Sequence, residues 1–125
     1  MPVAWLDEGI LDELREIKDS PEFLHRMLEA AIADLTGLQG QLDAALARQD
    51  LAAVHRQAHA VKGVALSVGA VRLGHLASRL MTLPHASLVS DHAKLRTEFE
   101  HTHARSVEAL RALDARVELP RAAKR

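Results

Sequence analysis

The stretch best equipped for chemistry is Ala58-His59-Ala60-Val61-Lys62-Gly63. An imidazole is partly neutral near pH 7, and its free ring nitrogen can attack phosphorus. A lysine three residues later shares its side of a helix, where an ammonium can meet incoming phosphoryl oxygens. A glycine four residues after the histidine removes a side chain from the space beside the ring. In mid-helix that glycine costs about 1 kcal/mol relative to alanine. Close approach by a partner would account for the cost. His59 thus reads as a phosphoryl-accepting nucleophile, Lys62 as phosphate stabiliser and Gly63 as an access gap.

Each residue also has a plainer explanation. A lone surface histidine is usually inert, Lys62 alone would be a solvated charge, and Gly63 could serve helix–helix packing. The combination at i, i+3 and i+4 favours chemistry. At about 100° per residue, Ala52, His55, His59, Lys62, Gly63 and Leu66 fall near one line, with Arg56 beside it. His55, Arg56 and Leu66 are therefore candidate partner-docking residues, although a neighbouring helix could instead cover Leu66. His55 and His59 have the spacing to share a metal. The zinc-protease pattern needs Glu after its first histidine, and Arg56 stands there instead. No resident metal or cofactor is expected. His101 and His103 point to different sides, and His25, His75, His85 and His92 read as surface residues.

These residues need a rigid scaffold, and the sequence supplies helices. Ala and Leu abound, and β-branched runs are missing. A short first helix would align Leu6, Ile10, Leu14 and Ile17. Ser20 and Pro21 suit an N-cap and a first helical residue. The helix that follows carries Phe23, Met27, Ala31, Leu35, Leu38, Leu42 and Ala45 inward, despite Gly37 and Gly40. Gln49-Asp50 makes a turn with Asp50 as the next N-cap. The histidine-bearing helix places Leu51, Val54, Ala58, Val61, Ala65 and Val68 inward and stops at Gly69. The next has Val71 or Leu73, then Leu76, Leu80 and Leu83, and breaks at Pro84. The last starts near Ser87 or Ser90. It presents Leu95, Phe99, Thr102, Ser106, Leu110, Leu113 and Val117 inward and ends at Pro120. Short links between long amphipathic helices imply antiparallel neighbours. The expectation is an all-α, up-and-down four-helix bundle with the short N-terminal helix capping one end. Residues 1–3 form a leader, 4–118 the domain and 119–125 a basic tail.

In that helical setting, His59-Ala60-Val61-Lys62-Gly63 followed by Gly69-Ala70 resembles the histidine-containing phosphotransfer (HPt) domains of multistep phosphorelays. Their pattern is roughly Ala-His-x-Leu-Lys-Gly, a small residue near Ala65, Gly-Ala, and a leucine-rich helix that Leu73, Leu76 and Leu80 match. The likeness runs from about Leu6 to Val117. Val61 replaces the usual Leu, and Ala77 and Met81 stand where many members carry Cys and Glu. Those departures bear on partner choice more than on the reaction. The resemblance implies that His59 takes a phosphoryl group from a receiver-domain aspartate and passes it to another receiver. It implies no kinase activity of its own, and Mg²⁺ on the receiver. The partners implied are receiver domains of a hybrid sensor kinase or of a response regulator. A non-catalytic helical adaptor is the alternative from a different class, and a metal-binding bundle a weaker third.

Composition narrows the classes further. The 125 residues carry a formal net charge of −1, which gives no global pull toward nucleic acid. With one Trp, two Phe and no Tyr, a stacking surface for single strands is not expected. No cysteine is present, which rules out disulfides and thiol catalysis. No apolar run approaches a membrane span. A cytoplasmic domain is expected, monomeric in isolation and without direct membrane contact, even if it forms the cytoplasmic part of a membrane-bound hybrid kinase.

Overall fold

The computed structural model describes residues 4–7, 9–10, 12–13, 16 and 21–117. Among these, regular structure is entirely helical. Four helices follow one another: α1 (Pro21–Arg48), α2 (Leu51–Ser67), α3 (Val71–Met81) and α4 (His85–Ala115). Consecutive helices pack together, and α4 returns to pack on α1, so each helix has two neighbours.

The turns follow from local chemistry. At the end of α1, Gln49 adopts φ 56°. Its N–H donates to the Leu46 carbonyl at 3.1 Å, and that of Asp50 to Ala45 at 3.0 Å. This pairing satisfies two carbonyls that a helix end would leave unpaired. The Asp50 carboxylate accepts the Ala53 N–H at 3.1 Å, so it caps α2 as expected. Gly69, at φ +72°, ends α2 in the same way, with Gly69 donating to Leu66 and Ala70 to Ala65.

The core is dominated by aliphatic side chains. Leu28, Leu35, Leu42, Leu46, Leu73 and Leu80 are fully or almost fully buried, and each such side chain contributes roughly 1.5–3 kcal/mol. On α1 the buried face is wider and slightly rotated from the expected stripe. Leu24 and Leu28 are inside, whereas Phe23, Met27 and Leu38 are half-buried. The reason is that α1 packs on both α2 and α4 and must bury two adjoining stripes. On α3, Leu73 is buried and Val71 is half-buried.

Helix α4 begins earlier than Ser87 or Ser90. The extended Pro84 precedes it, and the Pro84 carbonyl accepts the Leu88 N–H at 3.1 Å. Ser90 bonds only back to the Ser87 carbonyl, so its hydroxyl caps nothing. The early start lets Leu88 reach the core. The helix also ends at Ala115, before Pro120, which lies outside the described residues.

Near the N-terminus, helical backbone appears at Gly9, Ile10, Asp12, Glu13 and Glu16. The Asp7 carboxylate accepts the N–H groups of Gly9 and Ile10, the geometry of an N-cap. The Asp7 N–H donates to the Gly69 carbonyl at 2.7 Å, Leu6 packs on the core, and the Arg72 guanidinium lies 4.0 Å from the Trp5 ring centre. The remaining stripe residues, Leu14 and Ile17, and the expected cap Ser20 lie outside the described residues.

Candidate functional site

Helix α2 spans about 25 Å at 1.5 Å per residue, and His59 sits at its middle. Ala58 and Val61, its neighbours on the inward side, are buried at 0% and 1% exposure. The backbone beneath the imidazole is therefore held by the core, while the ring itself is exposed. No hydrogen bond or ion pair engages that ring among the described residues. A nucleophile on a packed helix needs no loop motion to be presented.

Gly63, one turn beyond His59, is exposed. A Cβ placed there would meet nothing within 4 Å, so helix packing does not explain this glycine. Lys62 is half-buried and makes no ion pair with the described residues, which leaves its ammonium available to an anion. Arg56 is exposed on the α1 side of the same face.

His55 is more constrained than a free docking residue. Its ring is half-buried, and Nε2 lies 2.9 Å from the Leu83 carbonyl oxygen. That oxygen can only accept, so Nε2 carries the hydrogen and Nδ1 is left as the free edge. The bond turns the ring toward the α3–α4 link. Leu66 is 39% exposed, yet its Cδ2 would lie 2.7 Å from a Cβ on Gly74. It is both an apolar surface residue and a contact to α3.

The structure adds a wall that spacing alone did not supply. Along the α1–α2 seam runs an open trough of about 510 Å³, lined on one side by Gly37, Gly40 and Gln41 and on the other by Arg56 and Gln57. A second trough of about 350 Å³ shares Gly37 and Gln41 and reaches Val64. Neither Gly37 nor Gly40 has anything within 4 Å of a notional Cβ. The signal was present in the sequence, since both glycines weaken α1 as Gly63 weakens α2. What the sequence lacked was the register of α1 against α2.

Two histidines read as surface or unpaired residues lie at the α1–α4 seam. His25 is part-buried, and its Nδ1 is 2.7 Å from Asp114 Oδ1. The hydrogen bond to Asp114 raises its pKa above the usual histidine value, helped by the charges of Asp114 and Glu29. His103 is half-buried, and burial lowers its pKa. Its Nε2 and the Oγ of fully buried Ser106 have no hydrogen-bond partner among the described residues. Neither histidine belongs to the His59 face. Two exposed bidentate pairs, Arg96–Asp43 and Arg79–Glu98, tie α4 to α1 and α3. Pairs this exposed add little to stability.

Residues 26–119 match the sequence model of a protein family described as Hpt domain. The fold resembles the crystal structure of histidine-containing phosphotransfer protein B (HptB) from Pseudomonas aeruginosa PAO1. The alignment has a TM-score of 0.73 and 22% sequence identity, and covers 94% of this chain and 100% of that one. No curated protein matches the sequence. Among the described residues, no helix is long and apolar enough to cross a membrane.

Proposed function

Because the chain belongs to the Hpt domain family, we propose that it is a phosphorelay intermediate with His59 as the phosphoacceptor. A ring nitrogen of neutral His59, Nε2 by the family pattern, attacks the phosphorus of a phosphoaspartate on a receiver domain. The N–P bond forms as the P–O bond to the aspartate breaks, and the carboxylate leaves. The reverse displacement on a second receiver discharges the group. Lys62 offsets charge on the phosphoryl oxygens. Gly63 leaves room for the receiver's acidic pocket, which brings the Mg²⁺. No kinase activity is assigned to the chain itself.

The observation that carries this reading is the open space at Gly63 beside an exposed mid-helix histidine. A helix-destabilising residue with no internal contact is explained by an external one. The docking ground includes Arg56, the free edge of His55 and the exposed part of Leu66, with the glycine-lined trough of α1 as its other wall. Arg56 and Lys62 favour an acidic partner and a salt-sensitive association rate. The partners proposed are receivers of a hybrid sensor kinase or of a response regulator, met in the cytoplasm by a monomeric domain.

The scaffold for this role is an antiparallel up-and-down four-helix bundle. Links of two or three residues and the closed sequence of helix contacts support this reading. The segment around Leu6 and Asp7 caps the end that holds Gly69. The working unit is residues 4–118, with 1–3 as a leader and 119–125 as a tail. Packing of both Leu6 and Val117 on the core supports those limits.

The test is phosphoryl transfer from a panel of radiolabelled receiver domains to the wild-type protein and to His59→Gln. Acid-labile label on the wild type alone is the expected result. Label on both proteins moves the site to another histidine. Label on neither, with receiver binding intact, makes the protein a non-catalytic adaptor.

A further inference from the structure

For Nε2 of His59 to attack phosphorus, the hydrogen of the neutral ring must sit on Nδ1. An unassisted histidine side chain favours the opposite tautomer, and the hydrogen bond made by one ring nitrogen decides which tautomer is held. A common device is a carboxylate that accepts the Nδ1 hydrogen. No Asp or Glu occurs between Asp50 and Asp91, so neither α2 nor α3 carries one. On α2, the positions one turn from His59 are His55, Arg56, Lys62 and Gly63. Arginine and lysine side chains only donate, and glycine has none. Of these four, His55 alone can accept.

His55 is prepared for that task. Its Nε2 donates to the Leu83 carbonyl at 2.9 Å, which leaves a lone pair on Nδ1. That carbonyl belongs to the α3–α4 link, and Leu83 packs against the core, so the ring is held from outside its own helix. Side chains on a helix lean toward its N-terminus, and the His59 ring therefore leans over the turn that carries His55. At this spacing the two Cβ atoms are about 5–6 Å apart. The His59 ring is exposed and has no partner among the described residues. Exposed side chains change rotamer in picoseconds to nanoseconds, and rotation about the side-chain bonds of His59 is all that a contact with His55 requires.

We infer that His55 is a positioning residue for phosphotransfer: its Nδ1 accepts the Nδ1 hydrogen of His59 and so keeps Nε2 of His59 free to attack. The inference rests on the proposed role of His59. The chain of bonds runs from the Leu83 carbonyl through His55 to the Nδ1–H of His59. As the N–P bond forms, the His59 ring gains positive charge, and the electrons of the P–O bond leave with the aspartate. The hydrogen stays on His59 Nδ1. Its bond to His55 strengthens with the charge on the ring, so His55 favours the transition state over the ground state.

The experiment is long-range proton–nitrogen NMR of the isotopically labelled full chain at about pH 8, where an ordinary imidazole is neutral. The His59 signals are assigned by their loss in His59→Gln, and the two ring-nitrogen shifts report the tautomer. Wild-type His59 should carry its hydrogen mainly on Nδ1. His55→Leu should return the hydrogen to Nε2 and slow phosphoryl uptake from a receiver several-fold, with the label still on His59. His55→Asn should keep the tautomer and most of the rate, because its amide oxygen can stand where Nδ1 stands, although the bond to Leu83 is lost. Circular dichroism checks that both variants fold. A wild-type His59 with its hydrogen mainly on Nε2 overturns the inference, and that measurement needs no variant of His55. An unchanged tautomer in folded His55→Leu overturns it as well. If no receiver labels the wild type while the spectra come out as expected, the phosphotransfer reading fails and the hydrogen bond stands.

Discussion

Gly63 and Gly74 sit on consecutive helices and have opposite reasons to exist. A Cβ on Gly63 would enter empty space, whereas one on Gly74 would press on the Leu66 side chain at 2.7 Å. Between them, Gly69 has φ +72° and the Asp7 backbone oxygen 2.9 Å from a notional Cβ. The α2–α3 corner therefore needs its glycines to close on itself and on the N-terminal segment. The outer face of α2 uses its glycine to stay open. One residue type thus marks a packed corner in one place and an exposed surface in another, and sequence alone does not separate them.

Breaking the open face at its centre has the largest expected effect. His59→Gln abolishes phosphoryl uptake, because an amide is not a nucleophile toward phosphorus, while the melting temperature stays near that of the wild type. Labelling with a phosphorylated receiver, read beside circular dichroism, checks both halves. A large loss of helicity would mean that His59 is structural after all.

Breaking the closed corner comes next, and it acts on stability. Gly69→Ala places a Cβ in the left-handed region, at a cost of roughly 1–2 kcal/mol, and against the Asp7 backbone. Urea denaturation gives the value, and an unchanged midpoint would contradict the close approach of residues 4–7. Lys62→Ala then returns the comparison to chemistry. At a half-buried surface position screened by solvent its charge is worth about 1 kcal/mol, so transfer slows by about fivefold and is not lost. Single-turnover kinetics at wild-type speed would remove Lys62 from the mechanism.

Gly63→Ala sharpens the contrast because its two readouts move apart. With no contact to relieve, alanine should stabilise the protein by about 0.5–1 kcal/mol. The bulkier Gly63→Leu should slow transfer several-fold without a matching loss of stability. If Gly63→Ala is destabilising, the open space at that position is not real.

The smallest effects concern pH at the α1–α4 seam. The His103 pKa is lowered by burial, so the folded state prefers its neutral form. Its stabilising contribution is present above the unfolded value of about 6.5 and is lost as pH falls through the lower folded value. The His25 pKa is raised by Asp114 and Glu29. Its contribution is complete below about 6.5 and fades as pH rises through the higher folded value. Melting curves across pH 5–8 should show His103→Leu losing the acid-side decline and His25→Gln losing the alkaline-side one.

Much of this was legible in the residues. Asp50 as a cap, Gly69 as a stop and the inward set Val54, Ala58, Val61 and Ala65 follow from rules that act within a turn or two of chain. The face carrying His59, Lys62 and Gly63 follows from helical spacing in the same way. The rotated stripe of α1 and the early start of α4 were not legible. They depend on which neighbours each helix packs against and on Leu88 reaching the core.

By itself, then, the sequence determined the helical class, the main turns and the placement of an imidazole, a cation and a glycine on one side of α2. Local hydrogen bonding and 3.6-residue periodicity suffice for that. Only the tertiary structure decided which glycines are empty and which are packed. It alone set Gly37 and Gly40 of α1 beside Arg56, and His25 beside Asp114, 89 residues later. Those pairings depend on the relative rotation and height of whole helices, which are fixed by the fit of side chains across the core.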